Sequence, residues 1–303
     1  MNELSTIYAR FDSRVEYSEG LLTSALNQAR ELGAETLRIV GNAEQYEKAM
    51  IALVTRAVSL GIRVWFDLDL GGLSDQFIGS LEPHAGSVVL AVNIDEVSDR
   101  RIPSVGGQPP VVNVTANRGN AALLTEFMGR LLSDRRIGLL KVSAHIREIG
   151  SIDLYLKLAR DLISLHRSYP GQVYAMMPWC LLEISELRLG RTICQYQSTV
   201  GVFPDGAVTA CGVSRTAWEP VSRLSECSLR QAVGNDPLLR NLRSLRPSGL
   251  EGVCSICIFR DYCGNLCPAR VFNITRSFSK SFDDCQILYD NGLFPPAFIR
   301  DGV

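Results

Sequence analysis

Apolar and polar positions along the first 179 residues follow two alternating periods. Leu21, Leu22, Ala25, Leu26, Ala29 and Leu32 fall on one face of a helix over residues 18–32, with Ser18 as N-cap and Gly33 as terminator. Thr36–Val40 then reads as a short strand ending at Gly41. A second helix is predicted over 44–59 and stops at Gly61, and Ile62–Phe66 forms the next strand. The cycle continues with a short helix near 73–80 and a strand at 88–94. A Gly/Pro-rich stretch runs from Ile102 to Pro110, followed by the strand Val111–Val114. A helix near 120–132, a strand near 137–143 and a long helix near 152–167 complete the series.

Parallel strands joined by crossover helices wind one way, so five or six such repeats predict an open or partly closed α/β barrel. A ligand would lie at the C-terminal ends of its strands. The fold class alone names no function.

Composition sharpens this picture at one place. All nine cysteines of the 303 residues fall after residue 179. That asymmetry divides the chain into a cysteine-free domain, 1–179, and a cysteine-rich module, 180–303, small enough to call for metal as a supplement to its core. With 46% hydrophobic residues the chain can build a core, and its net charge of −1 leaves no footprint for nucleic acid or an anionic membrane surface. No run of about 18 apolar residues predicts a membrane span. Met1–Ser5 lacks the basic and apolar segments of a secretory signal, so a reducing cytoplasm is expected, where cysteines serve metals or catalysis.

The cysteine spacing carries the chemistry. Cys254, Cys257, Cys263 and Cys267 form C-x2-C-x5-C-x3-C followed by Pro268, with Cys285 seventeen residues further on. Upstream, eleven residues separate Cys194 from Gly206 and four separate Gly206 from Cys211. A C-x2-C pair grips one metal from a tight turn in both zinc and iron–sulfur sites. A last cysteine before proline is a feature of ferredoxin-type runs, where it ligates the other cluster. Five cysteines in 254–285 exceed one tetrahedral site, which leaves zinc as the alternative reading and a disulfide framework as a third.

The full pattern resembles the SPASM domain of radical S-adenosylmethionine (SAM) enzymes, with all seven cysteines present at Cys194, Cys211, Cys254, Cys257, Cys263, Cys267 and Cys285. Val202–Val208, with its Pro-Asp-Gly turn, resembles the hairpin that leads into the second cysteine. The resemblance implies two [4Fe-4S] clusters. Cys254, Cys257, Cys263 and Cys285 would hold one, and Cys194, Cys211 and Cys267 the other. Cys180 or Cys227 is its candidate fourth ligand, with Cys180 preferred because it sits just before the module. Cys227 opens a helix, where a free cysteine acts as a small hydrophobe.

Residues 8–175 are similar to the radical SAM barrel that precedes such modules. That family carries a C-x3-C-x2-C loop after its first strand, whose three thiolates leave one iron open for SAM. Residues 1–179 contain no cysteine. Tyr8–Asp12 resembles the sequence that follows the family's third cysteine, which puts residues 1–8 in place of the loop and leaves the first strand missing. The family's G-G-E-P segment is reduced to Gly41-Asn42-Ala43-Glu44, so SAM binding is doubtful, and a plain strand-to-helix turn is the simpler reading.

Other candidates are weaker. His145 ends a strand at the ligand face, whereas His84 and His166 share no motif with it. Asp67 and Asp69 lie on one face of an extended chain, the geometry of a metal or polar-substrate contact or of a solvated loop. Asp95 resembles a recurrent family aspartate. Asp283 and Asp284 flank Cys285 without ligating, and no Ser/His/Asp set is apparent. The expected protein is α/β: a partial (β/α) barrel of radical SAM type followed by a cysteine-rich iron–sulfur SPASM module. Its expected role is that of an accessory or binding protein for a peptide or a partner enzyme. The alternatives are a radical SAM/SPASM enzyme whose first strand and cysteines lie upstream of Met1, and a zinc-stapled regulatory protein.

Overall fold

The computed structural model describes residues 4–11, 18–94, 101–133, 137–182, 197–212, 222–263 and 266–300. Numbered in chain order, the first elements are β1 (Thr6–Phe11), α1 (Glu19–Glu31), β2 (Thr36–Gly41), α2 (Ala43–Ser59), β3 (Arg63–Asp69), α3 (Asp75–Leu81) and β4 (Val88–Ile94). The series continues with β5 (Val111–Thr115), α4 (Leu124–Ser133), β6 (Leu139–Ser143), α5 (Ile146–Ile149), α6 (Ile152–Ser168) and β7 (Val173–Met176). Then come β8 (Thr199–Val202), β9 (Val208–Thr209), α7 (Leu229–Asn235), α8 (Pro237–Ser244), α9 (Val253–Ile256), α10 (Arg260–Cys263), α11 (Pro268–Thr275) and α12 (Asp283–Asp290). The result is a mixed α/β fold, as the alternating periods predict.

The chain forms two compact units, each discontinuous in sequence. One comprises residues 1–93, 102–110 and 195–244; the other comprises 94–101, 111–194 and 245–303. Both draw on residues from either side of position 180.

In the first unit the strands run β4-β3-β2-β1-β8-β9, parallel except for the β8–β9 hairpin. Helix α1 forms because Leu22, Ala25, Leu26 and Ala29 recur at helical spacing and are buried together. Burying each leucine contributes about 1.5–3 kcal/mol. Asn42 caps α2, its Oδ1 accepting from the Glu44 amide at 2.8 Å. Gly41 sits at φ +136°, and a Cβ there would meet the Phe11 carbonyl oxygen at 2.2 Å, so only glycine lets β2 lie this close to β1. Gly41 to Glu44 thus form a strand end and a helix cap. The predicted hairpin at Val202–Val208 is present: Gly206 takes φ +81° and donates to the Phe203 carbonyl at 2.9 Å.

The family resemblance puts residues 1–8 in place of a loop, with no strand before them, and the structure differs. Instead Thr6–Phe11 is itself the first strand, with both its edges occupied: β2 pairs on one side and β8 on the other, each parallel. Ile7, Ala9 and Phe11 are buried and alternate with half-buried Thr6, Tyr8 and Arg10, the pattern of an interior strand with one apolar face. The chain between β1 and α1 is residues 12–18, Asp-Ser-Arg-Val-Glu-Tyr-Ser, which contains no cysteine.

In the second unit β5, β6 and β7 pair in parallel. Helix α6 presents Tyr155, Leu158, Ala159 and Leu162 to its core, and Ser151 caps it through the Leu154 amide at 3.3 Å. Helix α4 begins at Leu124, later than the predicted start at 120. The Asn117 side chain accepts from the Gly119 and Asn120 amides at 2.8 and 3.1 Å, offering that backbone an alternative to the helix. Among the described residues no helix is long and apolar enough to cross a membrane.

Candidate metal centre

Five cysteines of the second unit meet at one cavity. Cys180, Cys254, Cys257, Cys263 and Cys285 line it, together with Leu250, Val253, Phe259, Arg260 and Phe294. It encloses about 370 Å³ free of protein atoms, its open mouth included. Its donors come from α9, the turn after it, α10 and the first turn of α12, with Cys180 added from the short turn Trp179–Leu181.

Local chemistry fixes each donor. Gly252, at φ +59°, opens α9 where a Cβ would meet Gln286 Oε1 at 2.4 Å and Ser281 Oγ at 2.7 Å. In that space Gln286 Oε1 accepts from the Val253 amide at 3.0 Å, and Ser281 Oγ accepts from the Cys254 amide at 2.9 Å. Ser281 in turn donates to the Glu251 carbonyl at 2.7 Å. The Cys254 turn is thereby tied to the segment that carries Cys285. On the other side of the C-x2-C pair, Ile258 donates to the Phe298 carbonyl at 2.9 Å and Arg300 to the Ile256 carbonyl at 2.8 Å. Cys257 Sγ already accepts one bond, from the Phe259 amide at 3.4 Å.

Burial sets the electrostatics. It pushes the Cys254 and Cys257 thiols above their ordinary range, and pushes Cys263 up to about 12. Cys285 is raised well above its ordinary value, first by its hydrogen bond with Cys180 and then by burial. Without a cation these thiols stay protonated at neutral pH. A metal bound here would supply the free energy that ionises them.

Asp284 anchors the helix that bears Cys285. It is fully buried; its Oδ1 accepts from the Ile146 amide at 2.8 Å, and its Oδ2 from His145 Nδ1 at 2.9 Å. His145 Nε2 is left to Ser143 Oγ at 3.2 Å. Asp283 pairs with Arg270, whose Nε and Nη2 donate at 3.0 and 2.9 Å, and Arg270 also grips both oxygens of Glu148. These acids flank Cys285 and tie α12 to the end of β6 and to α5.

The remaining candidates are placed as follows. Cys267 caps α11 just before Pro268 and packs with Cys263 and Cys285 against Leu266, Val271 and Phe282, but does not line the cavity. Cys211 and Cys227 belong to the first unit, where the Cys227 thiol donates to the Arg223 carbonyl at 3.4 Å. Cys194 and Asp95 lie outside the described residues. Cys180, preferred as a partner for Cys194, Cys211 and Cys267, stands instead on the cavity of the Cys254 set. His84 falls in the turn Glu82–Ser87, and His166 Nδ1 bonds the Val173 carbonyl at 3.1 Å. Asp67 is buried at the end of β3 rather than in a solvated loop; its carboxylate is gripped by Arg38 and accepts from Trp65 Nε1 at 3.3 Å. Asp69 accepts from Asn93 at 3.3 Å. A Ser143–His145–Asp284 chain exists although no such set is apparent in sequence, because its members come from positions 139 residues apart.

No protein-family model matches the chain, and no curated protein matches it. Solved structures do. The chain is similar to SuiB of Streptococcus suis bound to the precursor peptide SuiA, with 14% identity and a TM-score of 0.63 over 93% of this chain and 75% of that one. It is similar to SuiB bound to S-adenosylmethionine, with 13% identity and a TM-score of 0.63 over 92% of this chain and 76% of that one. At such identity the likeness is one of fold.

Proposed function

We propose that this protein is an iron–sulfur protein of the radical SAM/SPASM type. In this reading it carries auxiliary [4Fe-4S] clusters, lacks the SAM-cleaving one, and serves as an accessory or binding protein for a peptide or its modifying enzyme. The observation that carries the reading is the cavity ringed by five cysteines. Five cysteines at one cavity exceed the four thiolates that a single tetrahedral zinc takes. Different metal atoms of a polynuclear group can take different thiolates.

The chemistry of the donor set fits. Cys254, Cys257, Cys263 and Cys285 would supply four thiolates, and Cys180, hydrogen-bonded to Cys285, a fifth sulfur in reserve. Such a cluster, when bound, stores and passes single electrons. The protein's part is to bury it, to fix its thiolates through Ser281, Gln286 and Asp284, and to limit its contact with water. Cys194, Cys211 and Cys267 remain the proposed ligands of a second cluster.

The absence of radical initiation is supported by the first strand. The radical SAM resemblance puts three cysteines after that strand, and the segment after β1 holds none. With both its edges paired, β1 is an interior strand of the sheet. A peptide as partner is supported by the fold shared with SuiB, which was solved with its precursor peptide. The test is anaerobic purification followed by incubation of the reduced protein with SAM. Iron and sulfide without 5′-deoxyadenosine support the proposal, and 5′-deoxyadenosine formation by this chain alone overturns the accessory role.

A further inference from the structure

Among the described residues two buried side-chain polar atoms have no hydrogen-bond partner: Tyr155 Oη and Arg260 Nε. Of the two, Arg260 lines the cysteine cavity and Tyr155 does not. Arg260 lies in α10 between Cys257 and Cys263; its Nη1 donates to the Ser255 carbonyl at 3.2 Å, while Nε has only an ion-pair contact, 3.5 Å from Asp261 Oδ1. Tyr155 is fully buried on the inner face of α6.

An unpaired buried donor costs about 1–3 kcal/mol, so a fold that keeps one in the wall of a cavity needs a reason. Thiols are poor acceptors, whereas thiolates and bridging sulfides carry negative charge and accept well. Arg260 Nε in a wall with five sulfurs therefore marks the cavity as built for an anionic, sulfur-rich occupant. We propose that Arg260 Nε–H donates a hydrogen bond to a sulfur of the cluster, and that this residue raises its reduction potential. This rests on the iron–sulfur reading above. The physical basis is that a donor at sulfur, and a nearby positive charge, stabilise the more negative reduced state.

The experiment uses the full chain, purified anaerobically, with iron and sulfide measured first and a midpoint potential taken by redox titration. Wild type without iron overturns both this proposal and the reading beneath it. With iron present, Arg260→Gln should retain the metal and move the midpoint to more negative values. Arg260→Lys, which keeps charge but loses Nε–H, should move it less than Arg260→Gln. Unmoved potentials in metal-replete variants overturn the proposal and leave the cluster reading intact. Wild type grown with ¹⁵N-arginine provides a test that needs no substitution. A guanidinium nitrogen coupled to the reduced cluster in pulsed electron paramagnetic resonance is expected, and its absence overturns the proposal.

Discussion

Replacing Asp284 by alanine tests how the Cys285 helix is held. Asp284 is fully buried and its two oxygens satisfy the Ile146 amide at 2.8 Å and His145 Nδ1 at 2.9 Å. Alanine leaves both donors inside the protein without acceptors. Each costs about 1–3 kcal/mol, so the two together centre on about 3–5 kcal/mol. The expected loss for Asp284→Ala is thus about 3–5 kcal/mol, a large part of the roughly 5–15 kcal/mol that holds a typical domain. Asparagine keeps one accepting oxygen for Ile146 and turns its NH₂ toward His145, whose ring can switch tautomer to accept. About 1–2 kcal/mol is expected for Asp284→Asn. The assay is urea unfolding followed by circular dichroism, with hydrogen exchange at the Ile146 amide as a local reading. At about 2–3 kcal/mol per molar urea, Asp284→Ala should lower the midpoint by more than about 1 M, and Asp284→Asn by less. Iron content should fall in the same order. An alanine variant that unfolds with wild-type midpoint and wild-type Ile146 protection would refute the reasoning.

Serine at Cys254, Cys257 or Cys263 should each lower iron and sulfide content, whereas Cys227→Ser should leave both unchanged, because that thiol bonds a backbone carbonyl in the other unit. Metal analysis of the four variants checks this. Gly41→Ala should destabilise the first unit by at least about 1–3 kcal/mol, since the backbone is left-handed and the new Cβ meets Phe11; a thermal melt with no shift would contradict it. Burial tends to raise the Glu148 carboxyl, but the hydrogen bonds and charge of Arg270 outweigh it and hold the group below its ordinary range. The stabilisation this gives is present above the unfolded value of about 4.3 and is lost as pH falls through the lower folded value. Because the pair is partly exposed, Glu148→Gln should cost only about 0.2–1 kcal/mol at pH 7, and urea midpoints of wild type and variant should converge below about pH 4.

The helices and strands of residues 18–168 are legible because their apolar periods are strong and their caps, Asn42 and Ser151, are local. Strand β1 is not recognised as such, because Thr6–Phe11 is short, near the start of the chain, and paired to a strand almost 200 residues away. The start of α4 escapes for a different reason: two asparagines outcompete the helix over four residues, an effect apolar periodicity does not see. The set Cys254, Cys257, Cys263 and Cys285 is reached in sequence only through the family resemblance of the cysteine pattern, since Cys285 lies in a separate helix, α12. The place of Cys180 is not reached, since it depends on how a distant turn packs. Likewise Asp284 reads as a flanking acid, and only the fold brings it to His145. Arg260 and Tyr155 give one signal each in sequence: the first falls inside the C-x5-C loop, and the second is a polar tip on the apolar face of α6.

The central claim is that the five-cysteine cavity holds an iron–sulfur cluster, and anaerobic quantification of iron, zinc and acid-labile sulfide on the full chain tests it most directly. The account predicts absorbance near 400 nm with about four iron and four sulfide atoms for each cluster, lost together when Cys254 or Cys257 is replaced. A colourless protein with one equivalent of zinc and no sulfide would contradict it.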